Sequence, residues 1–180
     1  MIDIYDDVLK LNDATDIYNI VDKLLWSYDY QPTTLLLNKH WIHHPDSWAL
    51  ELFNKFDVVE KYKATVHMVY MLGHTHGMEQ QTHTDDGDLT MIYYPDLNWK
   101  PEWGGGTMVY NDPTQNIIDD HVTYKGNRLV VFDAWRKHQG QPISKQCHEL
   151  RKIIVFKCYI DGENKDRLDY YKWLIFMMMY

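Results

Sequence analysis

Cysteine is scarce: only Cys147 and Cys158 occur, in neither a CxxC nor a zinc-ligand spacing. Two cysteines make a poor disulfide framework, so a reduced, cytoplasmic protein is expected. Basic charge is short as well. The formal net charge is −8 and no run of Lys or Arg appears, which argues against a phosphate-tracking surface and hence against a nucleic-acid partner. No apolar run approaches the ~20 residues that span a bilayer. The acidic start, MIDIYDD, lacks the basic and apolar regions of a secretory leader. No membrane role is expected.

What is present suits a globular chain. At 180 residues and 45% hydrophobic content, one domain (1–180) can bury a core without staples. Aromatics are dense, with 14 Tyr and 7 Trp, residues that suit half-buried pockets and sheet surfaces because each joins an apolar body to a polar handle.

Periodicity divides the chain in two. IDIYDDVL (2–9) alternates as a short strand. Asn12 or Asp13 can then cap a helix with Ile17, Val21, Leu24, Leu25 and Tyr28 on one face, ended by Gln31-Pro32. A second helix is expected from Pro45-Asp46, burying Trp48, Leu52, Phe53 and Phe56. From there the period becomes strand-like: ATVHMVYML (64–72), DLTMIYY (88–94), GTMVY (106–110), HVTY (121–124), NRLVVFD (127–133) and RKIIVFKCYI (151–160). Helices followed by closely spaced strands predict an α+β, mainly β fold, with N-terminal helices supporting an antiparallel sandwich or barrel. The apolar tail KWLIFMMMY (172–180) is too short to span a membrane and reads as a packed element or a homo-oligomer contact.

HTHGMEQQTHTDDG (74–87) concentrates the chemistry. One template takes His74, His76 and Glu79, as in a cupin site, but Glu79 follows too closely and Gly73 and Gly77 suggest a turn with solvated histidines. A calcium loop at Asp85-Asp86-Gly87-Asp88 lacks the glutamate that its twelfth position requires. The other template takes His83 and Asp85. On extended backbone, side chains two apart share a face, so an imidazole and a carboxylate can grip one ion. His138, beyond the strand NRLVVFD, offers a third ligand, with His121 and His148 as rivals. Two histidines and a carboxylate form the facial triad of non-haem Fe(II) oxygenases. Arg151 opens a strand apolar on both faces, where a guanidinium could clamp a carboxylate bidentately or simply reach water from the rim.

Together these segments resemble the Fe(II)/2-oxoglutarate dioxygenases, in particular their prolyl 4-hydroxylase-like branch. The resemblance runs from about Thr65 to Tyr159 and rests on HTDDGDLTMIYYPDLNWKPEWGGGTMVY (83–110), GNRLVVFDAWRKHQGQP (126–142) and LRKIIVFK (150–157). It implies a double-stranded β-helix (jelly roll) with helices on one side. It implies Fe(II) held by His83, Asp85 and His138, with Arg151 on the distal carboxylate of 2-oxoglutarate. Tyr94, and less directly Tyr70, would hydrogen-bond that carboxylate. O2 is consumed, 2-oxoglutarate is decarboxylated to succinate, and ascorbate keeps the iron reduced. The implied substrate is a peptidyl residue such as proline, or a small molecule. Two positions depart from the pattern. Ile153 replaces the usual serine, leaving Tyr94, Thr90 or Tyr70 to supply its hydroxyl, and Gly106 replaces an acidic residue at the substrate rim. Trp99, Trp103 and Trp135 either line the entrance or pack in the core. The rival readings are a cupin-like metalloenzyme using His74, His76 and His138, and a non-catalytic jelly-roll binding module.

Overall fold

A computed structural model describes residues 2–33, 36–78, 80–110 and 118–160, without side-chain detail at 29–33, 36–39, 118 and 119. The tail 172–180, and with it the expected oligomer contact, lies outside the described residues. In chain order the elements are β1 (Ile2–Tyr5), α1 (Leu11–Asp22), β2 (Ser27–Thr33), β3 (Leu36–His43), α2 (Trp48–Asn54), α3 (Val58–Tyr62) and β4 (Ala64–His74). There follow β5 (Leu89–Tyr94), β6 (Thr107–Tyr110), β7 (Ile118–Val122), β8 (Arg128–Asp133), β9 (His138–Gly140) and β10 (Arg151–Ile160).

The strands form two antiparallel sheets: a large one in the order β1-β8-β5-β10-β4-β3-β2 and a small one in the order β7-β6-β9. This is the expected double-stranded β-helix. Strand period two splits the buried residues between two cores. One face of the large sheet is covered by the helices, where Ala14, Ile17 and Val21 of α1 and Leu52 and Phe53 of α2 join Met91, Tyr93, Leu129, Val131, Ile154 and Phe156. The other face looks toward the small sheet, with Ile92, Tyr94, Val130, Phe132, Ile153 and Val155 meeting Val109 and Val122. Among the described residues no helix is long and apolar enough to cross a membrane.

The N-terminal third departs from its sequence reading. The first strand stops at Tyr5, and the first helix starts at Leu11 after Lys10, without a side-chain cap. That helix ends at Asp22 rather than at Gln31-Pro32. Leu25, expected on its buried face, is 89% exposed, and residues from Ser27 form a hairpin with β3. Pro32, expected to mark the end of the helix, lies instead within a strand. Here β2 is the edge of the sheet, where a missing N–H costs no ladder bond. The second helix is confirmed from Trp48, with α3 as a short addition.

Candidate active site

His83 and Asp85 lie in the loop between β4 and β5, and His138 is the first residue of β9. Backbone pairing brings them together. The His83 N–H donates to the His138 carbonyl (3.0 Å) and the His138 N–H returns to His83 (2.8 Å), while the Asp85 N–H reaches the Ala134 carbonyl at 2.9 Å. One ligand atom from each of the three residues falls within 4.8 Å of the others. His83 is exposed, Asp85 intermediate and His138 buried, so the cluster opens to solvent on the His83 side.

Hydrogen bonds orient each side chain. His83 Nδ1 donates to the Gln81 carbonyl at 2.9 Å and His138 Nδ1 to the Arg136 carbonyl at 3.0 Å. Both Nε2 atoms are therefore left as acceptors, as a metal requires. Although His83 is exposed as a residue, desolvation of its ring by the surrounding protein and the neighbouring His138 hold the imidazole below its ordinary value. For Asp85, burial alone would raise the carboxyl. The His138 contact, the Thr90 hydroxyl at 2.7 Å and the Lys157 ammonium outweigh it and keep the group far below the usual carboxylate range. Two imidazoles and an ionised carboxylate are the donor set that suits Fe(II).

The rival histidines do not join this cluster. His74 ends β4 and is 3% exposed, with the Gln80 amide donating to its ring. Burial, with the Arg151 and His40 charges, pushes it down to about 2. The expectation of a solvated loop histidine at 74 is therefore corrected: the strand runs two residues further than its sequence suggested. His76 Nδ1 donates to the Ile143 carbonyl, His121 pairs with Gln141 and His148 is exposed. Glu79 lies outside the described residues. Without His74 and His76 at the cluster, the cupin template loses its ligand set.

Arg151 is 1% exposed. Its Nε donates to the Gly105 carbonyl and one terminal nitrogen to the Gly106 carbonyl at 3.1 Å, while Nη1 is buried without a hydrogen-bond partner among the described residues. Burial lowers its affinity for the proton, with Tyr94 and Tyr124 partly restoring it. An unpaired buried N–H on a guanidinium costs free energy, and an incoming carboxylate would satisfy it. That orphaned atom fits the distal carboxylate of 2-oxoglutarate.

The glycine pair has a physical use beside it. Gly105 has φ +74°, and a Cβ there would stand 3.0 Å from Arg151 Cδ and 3.1 Å from Trp99 Cζ2. Only glycine allows the chain to pass so close while offering its carbonyl. Trp99 donates to the Gly104 carbonyl and packs on Tyr124 at 4.5 Å, and Trp103 packs edge-on against Trp99. Trp135 packs on the helix-covered core. All three tryptophans are thus packing residues.

Tyr94 is fully buried, and its hydroxyl is 2.6 Å from that of Thr107, joining the two sheets. Tyr70 pairs with Val155 in the β4–β10 register, and Lys157 Nζ stands over its ring at 5.5 Å. The β4 residue opposite Arg151 is His74, not Tyr70. Ile153 sits in the inter-sheet core without a hydroxyl to offer, and Thr90 is committed to Asp85. The expectation that β10 is apolar on both faces is also corrected. Arg151, Ile153, Val155 and Lys157 alternate along the inner face, which carries a cation at each end. Lys157 was missed because a lysine in an apolar run reads as a surface residue; its six-residue offset from Arg151 was the available signal.

Residues 60–159 match the model of the 2OG-Fe(II) oxygenase superfamily. No curated protein matches the chain significantly in sequence. Solved structures match in fold. A prolyl hydroxylase of Trichoplax adhaerens, in complex with a hypoxia inducible factor oxygen degradation domain peptide, is 17% identical, with 92% of this chain and 86% of that one covered and a TM-score of 0.61. A prolyl-4-hydroxylase of Pseudomonas putida is 13% identical, covering 89% and 93%, at 0.61. HygX of Streptomyces hygroscopicus, with nickel, 2-oxoglutarate and hygromycin B bound, is 10% identical, covering 86% and 81%, at 0.60. More than half of the chain fits the family model, and the chain belongs to the 2OG-Fe(II) oxygenase superfamily, whose members use Fe(II), 2-oxoglutarate and O2.

Proposed function

We propose that this oxygenase hydroxylates a peptidyl residue such as proline, with His83, Asp85 and His138 holding Fe(II) and Arg151 binding the distal carboxylate of 2-oxoglutarate. The observation that carries the reading is a pair of features: the clustered His-Asp-His ligand atoms and a buried Arg151 terminal nitrogen that has no hydrogen-bond partner among the described residues. When bound, iron, 2-oxoglutarate and O2 together supply the oxidising power for C–H hydroxylation, with succinate and CO2 as co-products. The chain's own residues do the rest. The two imidazoles are aimed by their backbone acceptors. Arg151 supplies a fixed anchor for the co-substrate, and Ile153, Val155 and Phe132 keep water from its neighbourhood.

The peptidyl substrate rests on likeness of fold to prolyl hydroxylases and on the solvent-facing side of the cluster at His83. Succinate release, measured with and without Fe(II) against a panel of proline-containing peptides, tests it. Iron-dependent succinate stimulated by a peptide is the expected result. Iron-dependent turnover that no peptide stimulates would move the substrate to a small molecule. No succinate with any candidate would overturn the enzymatic reading.

A further inference from the structure

Asp85 is held from β5 and β10 by two residues that pair directly across those strands. Thr90 and Lys157 are partners in the β5–β10 register, so their side chains rise on the same face. Each takes one oxygen of the same carboxylate. The Thr90 hydroxyl donates to Oδ2 at 2.7 Å, and the Lys157 ammonium meets Oδ1 at 3.1 Å. Oδ2 is also the oxygen facing His138 Nε2, at 3.4 Å, which makes it the one turned toward the metal-ligand cluster. Lys157 itself is well held. Its side chain is 15% exposed, Asp86 Oδ1 lies 2.5 Å from Nζ, and the Tyr70 ring closes another side. Beside it the β4–β10 register slips by one residue between Lys157 and Cys158, the kind of bulge that re-aims a side chain.

We propose that Lys157 is a positioning residue that keeps Asp85 a one-oxygen ligand. The inference rests on the iron reading above. A carboxylate free at both oxygens can grip a cation with either one or two of them. Oδ1 is turned to the ammonium, whereas Oδ2, besides accepting from Thr90, keeps a lone pair for the cluster that it faces. Three protein donors then leave three positions of an octahedral ion open, which is what a chelating keto acid and O2 together need. A two-oxygen Asp85 would take one of those positions. Both carboxylates around Lys157 already engage its N–H groups, so it serves the ligand rather than an anionic substrate.

Co(II), which substitutes for Fe(II) and reports coordination through its visible absorption, provides the test on the full chain. Lys157→Met removes the charge at similar length, and Lys157→Arg restores it. Lys157→Met is expected to bind Co(II) with an altered absorption spectrum. Its affinity for 2-oxoglutarate, titrated into the Co(II)-loaded protein, should fall about tenfold or more, in line with losses seen when partners of metal ligands are removed. Lys157→Arg should return most of both signals. Thermal unfolding of the metal-free variants checks folding, and Lys157→Gln carries the same test if the methionine variant does not fold. A wild-type spectrum in the charge-free variant would overturn the positioning role, and so would weaker 2-oxoglutarate binding without spectral change. Wild-type protein that binds neither Co(II) nor 2-oxoglutarate would overturn the iron reading, and this inference with it.

Discussion

On β10, Arg151 and Lys152 are neighbours that point to opposite faces of the same sheet. Lys152, on the helix-covered side, is 5% exposed and pairs with Asp22 of α1 at 2.9 Å. Arg151, on the inner side, is as deeply buried, and among the described residues it has two carbonyl acceptors and no carboxylate. The tyrosine pair of β5 divides likewise. Tyr93 enters the helix-covered core and its hydroxyl reaches Asn127, whereas Tyr94 enters the inter-sheet space beside Arg151. On the helix-covered face Lys152 and Tyr93 find side-chain partners within the fold. On the inner face, among the described residues, Arg151 keeps one buried terminal nitrogen open. A face built only for stability has no reason to keep a guanidinium without a carboxylate, because its desolvation is not fully recovered. Substitutions on the inner face should therefore alter binding with little loss of stability, and those on the outer face should do the reverse.

The strongest way to break this division is at the proposed metal ligands. His138→Ala, His83→Ala and Asp85→Ala are each expected to abolish tight Co(II) binding by calorimetry, with His74→Ala and His76→Ala nearly unaffected. The unfolding midpoint of the metal-free Asp85→Ala and His83→Ala proteins should stay close to wild type. If the His76 variant lost the metal as completely as the His83 variant, the cluster would be misassigned.

On the outer face the expected loss is of stability. Phe156 is fully buried with its ring 5.4 Å from Phe53 and 5.8 Å from Phe56, locking α2 and the following turn onto β10. Phe156→Ala should cost about 3–5 kcal/mol, the usual range for a buried aromatic cut to alanine, as read by denaturant unfolding. Its folded fraction should bind Co(II) normally. An equal loss of affinity would mean that the two faces are coupled through the sheet.

How far this arrangement was legible in the sequence follows from where each signal is stored. The strands after residue 64 were readable because alternation and β-branched content are local, and so was the pairing of His83 with Asp85 in the cluster, because HxD spacing records a shared face of extended chain. The hairpin β2–β3 was not, because Pro32 is acceptable only on an edge, and being an edge is a property of the finished sheet. His74 was misjudged for a related reason. Gly73 reads as a turn, yet here it is a strand residue packed against Leu150. Lys157 needed the register of three strands at once, since nothing local to it shows that Asp85 folds back over it.

A sharper test of the inner face is the orphaned guanidinium. A hydrogen bond to a charged group contributes about 1.5–3 kcal/mol, so Arg151→Ala should weaken 2-oxoglutarate binding to the Co(II)-loaded protein about ten- to a hundredfold. Arg151→Lys keeps the charge without the planar fork and should fall between. Co(II) binding should survive both, since the arginine is no ligand. Unchanged 2-oxoglutarate affinity in Arg151→Ala would leave the metal cluster standing and remove the co-substrate assignment.

The smallest expected effect falls on Tyr94, where the two faces are hardest to tell apart. Its ring is core by any measure: fully buried and 4.5 Å from that of Tyr124. Its hydroxyl is the ambiguous part. It meets Thr107 at 2.6 Å, a bond between sheets of the kind structural tyrosines make, and it also stands close enough to Arg151 to favour the guanidinium's charge. Tyr94→Phe keeps the ring and removes only the oxygen. If the hydroxyl helps to receive the co-substrate, 2-oxoglutarate affinity should drop about three- to tenfold, in keeping with about 1 kcal/mol for one neutral hydrogen bond. The unfolding free energy should change by less, because the Thr107 hydroxyl can rotate toward another acceptor. The opposite result, a stability loss of about 1 kcal/mol with 2-oxoglutarate affinity unmoved, would make Tyr94 a sheet-to-sheet tie and leave Arg151 to hold the carboxylate without it.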